Sequence, residues 1–149
     1  MQHKNSIEDK GYVDFLSRLL DPLTNFLRPH SDILDYGSGP EPVLKEIMQL
    51  KGYDVYIYDP FFAPEMPEGQ FDAVTTTEVL EHFFSPKKEI DAIISHIKPR
   101  GFWGIETLRY SDEIDMPNWH YLRDPTHVGF FSDKTFSWLE RNIRIQKSV

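Results

Sequence analysis

No cysteine occurs among the 149 residues, which excludes disulfide bonds and thiolate metal ligands. No run of eighteen apolar residues is present, so we expect no transmembrane helix. The first six residues, MQHKNS, lack the apolar core of a signal peptide. These three absences lead us to expect a cytoplasmic protein.

Positive charge is scarce as well. Lys and Arg number 16 against 24 Asp and Glu, which gives a net charge of −8. Such a surface repels nucleic acid and anionic membranes, so we expect neither as a partner. The length is that of a single domain. Within it we expect an N-terminal helical segment at residues 1–30, followed by the body of the fold.

The segment DYGSGP, residues 35–40, directly follows an apolar pair. It predicts a buried strand that turns on Gly37 and Gly39 into a helix starting near Pro42. Glycine suits this place because a side chain would keep a ligand away from the backbone, and because the turn can require positive φ. Packing alone also produces such turns, so two glycines by themselves are a weak signal.

A second predicted strand, at residues 55–58, strengthens that signal because it ends in Asp59, 24 residues after Asp35. A carboxylate beside a glycine turn suits bidentate hydrogen bonding to a ribose diol. The loop lacks the third glycine of a dinucleotide site and the Gly-Lys-Ser/Thr of a phosphate loop. Glu41 would compete with a pyrophosphate for the helix N-terminus. These residues indicate a nucleoside without phosphates, and S-adenosylmethionine fits because its sulfonium is a cation.

Strand and helix patterns alternate along the chain. Strands are predicted at residues 32–36, 54–58, 71–77 and 102–107, with a turn at 98–101. Helices are predicted at residues 12–20, from Asp21-Pro22 through Leu27, at 42–51, after Ser85-Pro86 and after Ser132. Residues 143–149 are predicted to form an edge strand. The pattern is typical of an α/β fold with a Rossmann-like, mostly parallel sheet flanked by helices, here shortened between the second and third strands. Ligands bind at the carboxyl ends of strands in such sheets.

Four segments in this order resemble class I S-adenosylmethionine-dependent methyltransferases: ILDYGSGP, VYIYD, FDAVTTTEVLEH and IKPRGF. The third is similar to the FD-V---EVLEH pattern of the type 11, 12 and 23 methyltransferase families, and the fourth to their LKPGG turn. WHYLRDPTHV, at residues 119–128, resembles a subgroup of small bacterial methyltransferases. The resemblance spans residues 33–139 and implies methyl transfer from S-adenosylmethionine, with residues 108–131 as an insert that covers the substrate.

The chain departs from the family pattern at three places. Arg100 replaces the first glycine of the LKPGG turn, and Glu41 stands where a glycine is common. Only eleven residues separate Asp59 from the third strand, where the family places a helix and a further strand. We therefore expect Phe61 and Phe62 to cover the adenine, with a poorly covered adenine as the alternative.

The predicted cofactor-binding residues are Asp35, Tyr36, Gly37, Ser38, Gly39, Asp59, Pro60, Phe61, Thr77 and Glu78. Asp35 orients the turn or the cofactor's amino group, with a capping role as the alternative. Asp59 binds the ribose diol or caps its own loop. Thr77 and Glu78, at the tip of the third strand, are expected near the methionine part of the cofactor.

Two histidines are candidate catalytic residues. His127 lies in the insert, where a neutral imidazole can take a proton from a hydroxyl or amine acceptor; the alternative is that it holds the loop together with Asp124 and Thr126. His82 faces the active site or closes its turn by bonding to the backbone. Because the spacing of His120, Asp124 and His127 matches no known motif, no metal site is predicted.

Methyl transfer to a small-molecule acceptor is the leading hypothesis. The shortened sheet leaves open a cofactor-binding or interaction module of the same fold without catalysis. An NAD-linked oxidoreductase is the third alternative, because the same kind of sheet serves both cofactors.

Overall fold

The structure is a computed structural model that describes residues 6–107, 109–110, 129 and 131–142. Its main sheet has parallel strands in the order β2-β1-β3-β4. The strands are β1 (Asp32–Tyr36), β2 (Asp54–Tyr58), β3 (Phe71–Thr77) and β4 (Ile97–Glu106), and the helices are α1 (Lys10–Thr24), α2 (Val43–Leu50), α3 (Pro86–Ser95) and α4 (Asp133–Asn142). The predicted α/β class with a parallel sheet flanked by helices is confirmed.

Two hydrophobic cores lie on opposite faces of the sheet, because successive strand residues point to opposite sides. Ile33 packs with α1 and α2 on one face, and its neighbour Leu34 packs with α3 and α4 on the other. In the same way, Ala73 and Val74 of β3 belong to different cores. The strand ends are thereby fixed relative to both layers of helices.

The N-terminal segment forms one helix, so the prediction that a second helix starts at Asp21-Pro22 is wrong. Pro22 lies inside α1. Leu16, Leu20 and Leu23 are all buried on one side of this helix. Since Leu23 continues the buried stripe beyond the proline, packing keeps the last turn helical although proline removes one backbone hydrogen bond there.

The predicted turn at residues 98–101 is in the structure a bulge within β4. Phe71 pairs with Ile97 and Ala73 with Phe102, so β4 advances five residues where β3 advances two. Arg100 adopts a positive φ of 67° in this bulge. The predicted strand at 102–107 is therefore the second half of a longer one.

The predicted starts of α3 and α4 are confirmed, but the serines that precede the two helices differ in whether they cap them. α3 begins with Pro86 in its first turn, and Ser85 makes no side-chain capping bond. Ser132 does cap α4, because its Oγ accepts a bond of 3.3 Å from the Thr135 amide.

The sheet ends at β2, and the chain reaches β3 through residues 59–70. A second, two-stranded parallel sheet joins β5 (Arg109–Tyr110) to β6 (Phe131–Ser132), so both ends of the predicted insert lie side by side. The predicted strand at 143–149 lies outside the described residues. Across the described residues, every helix is too short or too polar to span a bilayer.

Two leucines on different helices test the packing. Leu20 is fully buried in α1 and Leu50 is 78% exposed on α2. Leu20→Ala should lower the free energy of unfolding by about 2–5 kcal/mol because it leaves a cavity. Leu50→Ala should change it by less than about 0.5 kcal/mol. Urea unfolding followed by circular dichroism measures both, and equal losses would contradict the described core.

Candidate functional site

The glycine turn joins β1 to α2 and is fixed to the end of β2. Gly37 and Gly39 have φ values of 88° and 71°, which glycine adopts without strain. The amides of Gly37 and Ser38 both donate to the Tyr58 carbonyl, at 2.7 and 3.1 Å. A Cβ on Gly37 would overlap a methyl group of Val79, whereas one on Gly39 would meet open space. The turn therefore needs glycine at 37 for packing, and at 39 it leaves room for a ligand.

Asp59 holds this turn from the end of β2. Its Oδ2 accepts from the Gly39 amide at 2.9 Å, and its Oδ1 accepts from the amides of Phe61 and Phe62 at 2.9 and 3.2 Å. The residue is 8% exposed. The carboxylate thus faces the glycine turn and at the same time caps its own loop.

Asp35 is a buried carboxyl group at the end of β1. It is 4% exposed and accepts a bond of 3.0 Å from the Thr75 hydroxyl on β3. Burial raises the pKa of Asp35 to about 7, and the negative charge of Asp59 adds to this effect, while the Thr75 bond opposes it. Its charge therefore changes near neutral pH.

These groups line a narrow crevice, defined here by Asp35, Ser38, Glu41 and Thr77 on the sheet side and Tyr12 and Leu16 of α1 on the other. Its volume is about 30 Å³, which is the room of one water. The Thr77 hydroxyl is buried without a hydrogen-bond partner among the described residues. Such an atom is expected where a polar ligand group completes a site.

Sequence reasoning missed the contribution of α1 to the crevice. Tyr12 and Leu16 follow an ordinary helical spacing, so their pattern indicated only a core helix. Glu41 was recognised as an unusual residue, and the structure places it in the crevice wall.

Tyr36 does not present its ring to the crevice. The ring belongs to the core on the α3 side, packs on Tyr58 at 4.9 Å between centroids, and its hydroxyl donates to Glu89 Oε2 at 2.6 Å. Burial and the Glu89 carboxylate both raise the pKa of Tyr36. Side-chain alternation along β1 explains the difference, because Asp35 and Tyr36 point to opposite faces.

The other predicted cofactor residues lie in the loops that follow β2 and β3. Pro60 and Phe61 are exposed on the loop after Asp59, and Phe61 shows 86% of its surface. Glu78 follows β3 with a positive φ of 55°, and its amide donates to the Glu106 carbonyl at 2.7 Å. Non-glycine residues in this conformation are strained, and such strain clusters at functional sites.

Glu81 is a second buried acid, which the sequence analysis did not single out. It is fully buried, and its Oε2 accepts from the Thr107 hydroxyl at 2.9 Å. Its Oε1 lies 3.8 Å from Nε2 of the half-exposed His82, and its carbonyl accepts from the Gly129 amide at 3.1 Å. Two glutamates three residues apart in EVLEH were the available signal. Glu81, in the turn after β3, thus contacts Thr107 at the end of β4 and Gly129 near the end of the insert.

His127 lies outside the described residues, as do His120 and Asp124. Where the structure does describe the chain, no group of three or more His, Asp or Glu side chains is arranged to hold a metal ion.

A family model described as a methyltransferase domain matches residues 2–143. No curated protein sequence gives a significant match. Among solved structures, YcgJ from Bacillus subtilis is 17% identical with a TM-score of 0.59; 85% of this chain and 66% of YcgJ are covered.

Two further solved structures are similar. A putative methyltransferase from Bacillus halodurans has 17% identity and a TM-score of 0.60, with 85% of this chain and 64% of that one covered. Coclaurine N-methyltransferase, bound to N-methylheliamine and S-adenosylhomocysteine, has 12% identity and a TM-score of 0.61, with 93% and 51% covered. At these identities the likeness shows the fold alone. The chain spans less than two thirds of the length of each of these structures.

The two glycines of the turn should respond differently to alanine. Gly39→Ala costs about 1–2 kcal/mol from its left-handed φ alone. Gly37→Ala should cost more, because its Cβ also overlaps Val79. Adding Val79→Ala should recover part of the loss at 37 and none at 39, as a double-mutant cycle in urea measures. Equal coupling at both glycines would contradict the described contact.

The buried Asp35 carboxyl should make stability depend on pH. Between about pH 4 and pH 7 the folded chain retains a proton that the unfolded chain has released, so the free energy of unfolding should fall as the pH rises through this window. The loss is about 4 kcal/mol at most. Asp35→Asn should flatten the dependence, whereas Asp14→Asn, on the exposed side of α1, should leave it unchanged. Denaturant curves from pH 5 to 8 measure it, and the opposite slope would refute the assignment.

Proposed function

Because the chain belongs to the family of methyltransferase domains, we propose that it transfers a methyl group from S-adenosylmethionine to a small-molecule acceptor. The observation that supports this most directly is the acidic crevice. Two carboxyl groups, Asp35 and Asp59, adjoin a glycine turn at the carboxyl ends of neighbouring strands. The charge of Asp59, and that of Asp35 once it has released its proton, favours a cationic nucleoside.

The backbone of the turn argues against a phosphate-bearing cofactor. The amides of Gly37 and Ser38 donate to the Tyr58 carbonyl, and that of Gly39 donates to Asp59. These are the donors that a pyrophosphate would need. With the donors engaged and two carboxyl groups close by, an NAD-linked oxidoreductase is disfavoured.

The residues of the crevice fit S-adenosylmethionine in their chemistry. Asp59, directly after β2, offers carboxylate oxygens to a ribose diol, and Gly39 has open space for close approach of a ligand. Asp35 and the unpartnered hydroxyl of Thr77 suit the ammonium group of the methionine part. Phe61 is exposed beside Asp59 and is available to cover the adenine. Since the crevice holds only about 30 Å³, its walls have to open for the cofactor to enter.

When bound, the sulfonium supplies an already activated methyl group. The protein then has to hold the acceptor in line with that group and exclude water, which are effects of position. The insert at residues 108–131 is suited to covering the acceptor, because β5 and β6 hold its two ends together. The bond from the Gly129 amide to the Glu81 carbonyl fixes its second end to the turn that follows β3.

An acceptor that carries a proton also needs a base. His82 and His127 are our candidates for this role. The Nε2 atom of His82 lies 3.8 Å from the buried Glu81 carboxyl group, which can therefore orient the imidazole toward an acceptor. The net charge of −8 favours a small acceptor over nucleic acid.

A cofactor-binding module without catalysis is the second candidate. Its support is the sheet, which ends at β2 in the described structure and leaves Tyr56 44% exposed on that edge strand. Such a module would bind the cofactor, yet methylate no member of an amine, phenol, thiol and carboxylate panel.

Cofactor binding is tested with two aspartates at opposite ends of β2. Asp59→Asn should weaken binding of S-adenosylhomocysteine at least tenfold, because it removes a charged acceptor for the ribose diol. Asp54→Asn, at the exposed start of the strand, is the matched control and should bind like the unmodified protein. Isothermal titration calorimetry measures both affinities.

Methyl transfer itself is followed with radiolabelled S-adenosylmethionine and the acceptor panel. Turnover of any member supports the enzyme, and binding without turnover supports the module. Absence of binding to the unmodified protein at millimolar ligand would end both proposals.

A further inference from the structure

A second cavity lies at the amino-terminal ends of the strands, and the crevice lies at their carboxyl-terminal ends. We call the second cavity the basal pocket, and it is lined by Phe26, Arg28, Asp72, Lys98, Arg100 and Phe102 together with neighbouring backbone. These residues precede or begin β1, β3 and β4, whereas the crevice lies where β1 and β3 end. Its volume of about 290 Å³ is close to that of small-molecule sites, about 300–1,000 Å³.

Three cations line this pocket in a chain whose net charge is −8. Lys98 is balanced, because its Nζ lies 3.3 Å from Asp72 and 3.9 Å from Asp32. Asp72 is engaged further by the Asp32 amide at 2.8 Å. With Asp32 and Asp72 counted against Arg28, Lys98 and Arg100, the pocket carries a net charge of +1, and within the described chain no carboxylate pairs with its two guanidinium groups.

The backbone places Arg100 here at a conformational cost. Its φ of 67° is left-handed, a region that favours glycine. Gly101 cannot take a side chain, because a Cβ would lie 2.6 Å from an Ile97 methyl and 2.8 Å from the Lys98 carbonyl. The bulge in β4 thus turns an arginine toward the pocket at a position where glycine would be unstrained. Strain of this kind is typical of functional sites.

The pocket also has an apolar wall. Phe26 stacks on Phe102 with 5.2 Å between ring centroids and 30° between planes, and Phe26 remains 54% exposed. Guanidinium groups recognise carboxylates and phosphates through paired hydrogen bonds, and an exposed aromatic face suits a flat apolar body. We propose that the basal pocket binds a small organic anion, with a carboxylate or phosphate head between Arg28 and Arg100 and a planar body on Phe26. This site is independent of the methyl transfer proposed above.

Calorimetry on the full chain tests the proposal with benzoate and phenyl phosphate as probes. Acetate and inorganic phosphate carry the charge without the ring, and benzyl alcohol carries the ring without the charge. At least one aromatic anion should bind about tenfold more tightly than these three, and the comparison of the two anions separates carboxylate from phosphate recognition. In NMR spectra, the amide signals of residues 26–31 and 98–102 should shift when the aromatic anion is added, which locates the bound anion in the basal pocket. An RNA oligonucleotide is titrated as a further probe. The proposal is overturned when neither aromatic anion binds, whether or not the RNA does.

Three variants assign the binding to this pocket. Arg28→Gln and Arg100→Gln should each weaken binding about tenfold or more. Arg100→Gly should weaken it equally while leaving the melting temperature unchanged or higher, because glycine adopts the left-handed φ freely. Arg141→Gln, an exposed arginine on α4, should bind like the unmodified protein. Retained affinity in Arg28→Gln and Arg100→Gly would show that the anion binds elsewhere.

Discussion

The Asp59 carboxylate holds together the loops at the carboxyl-terminal ends of β1 and β2 by accepting three backbone hydrogen bonds. One comes from the glycine turn after β1, and two come from the loop after β2. A single side chain thereby fixes two loops that follow different strands. Buried carboxylates that accept several amide bonds are held firmly in place. The position of Phe61, the shape of the glycine turn and the direction of the start of α2 all depend on this anchor.

The second constraint is the alternation of side chains across the two inner strands. β1 and β3 are buried on both faces, so polar groups on them must be partnered or must serve a ligand. Thr75 and Asp35 satisfy one another, and Thr76 accepts from the Trp103 indole at 3.0 Å on the other face. Thr77, the last residue of β3, keeps its hydroxyl unpartnered within the described chain. Of the three threonine hydroxyls at the end of β3, the one that lines the crevice is therefore the one without a partner in the described chain.

The strands and the glycine turn could be predicted from sequence because their signals are local. The bounds 32–36, 54–58 and 71–77 follow from apolar runs that end in turn residues, and the family resemblance fixed their order. α1 was divided wrongly at Pro22 because burial of Leu23, a tertiary contact, outweighs the local effect of proline. Alternation along β1 already implies that Tyr36 points away from Asp35, whereas the closure of the crevice by Tyr12 depends on packing between distant segments. No local pattern contains that information.

Backbone strain lies next to the ends of strands and in the bulge of β4. Among the described residues, the non-glycine residues with positive φ are His30, Glu78 and Arg100. Glu78 follows β3 beside the crevice, while His30 precedes β1 and Arg100 lies in the bulge beside the basal pocket. Tightly packed layers tolerate little deformation. The costly backbone conformations therefore lie at strand ends and in the bulge, away from the packed centre of the sheet. Because packing keeps the centre of the sheet regular, unusual backbone conformations that shape a binding site occur at the two ends of the strands.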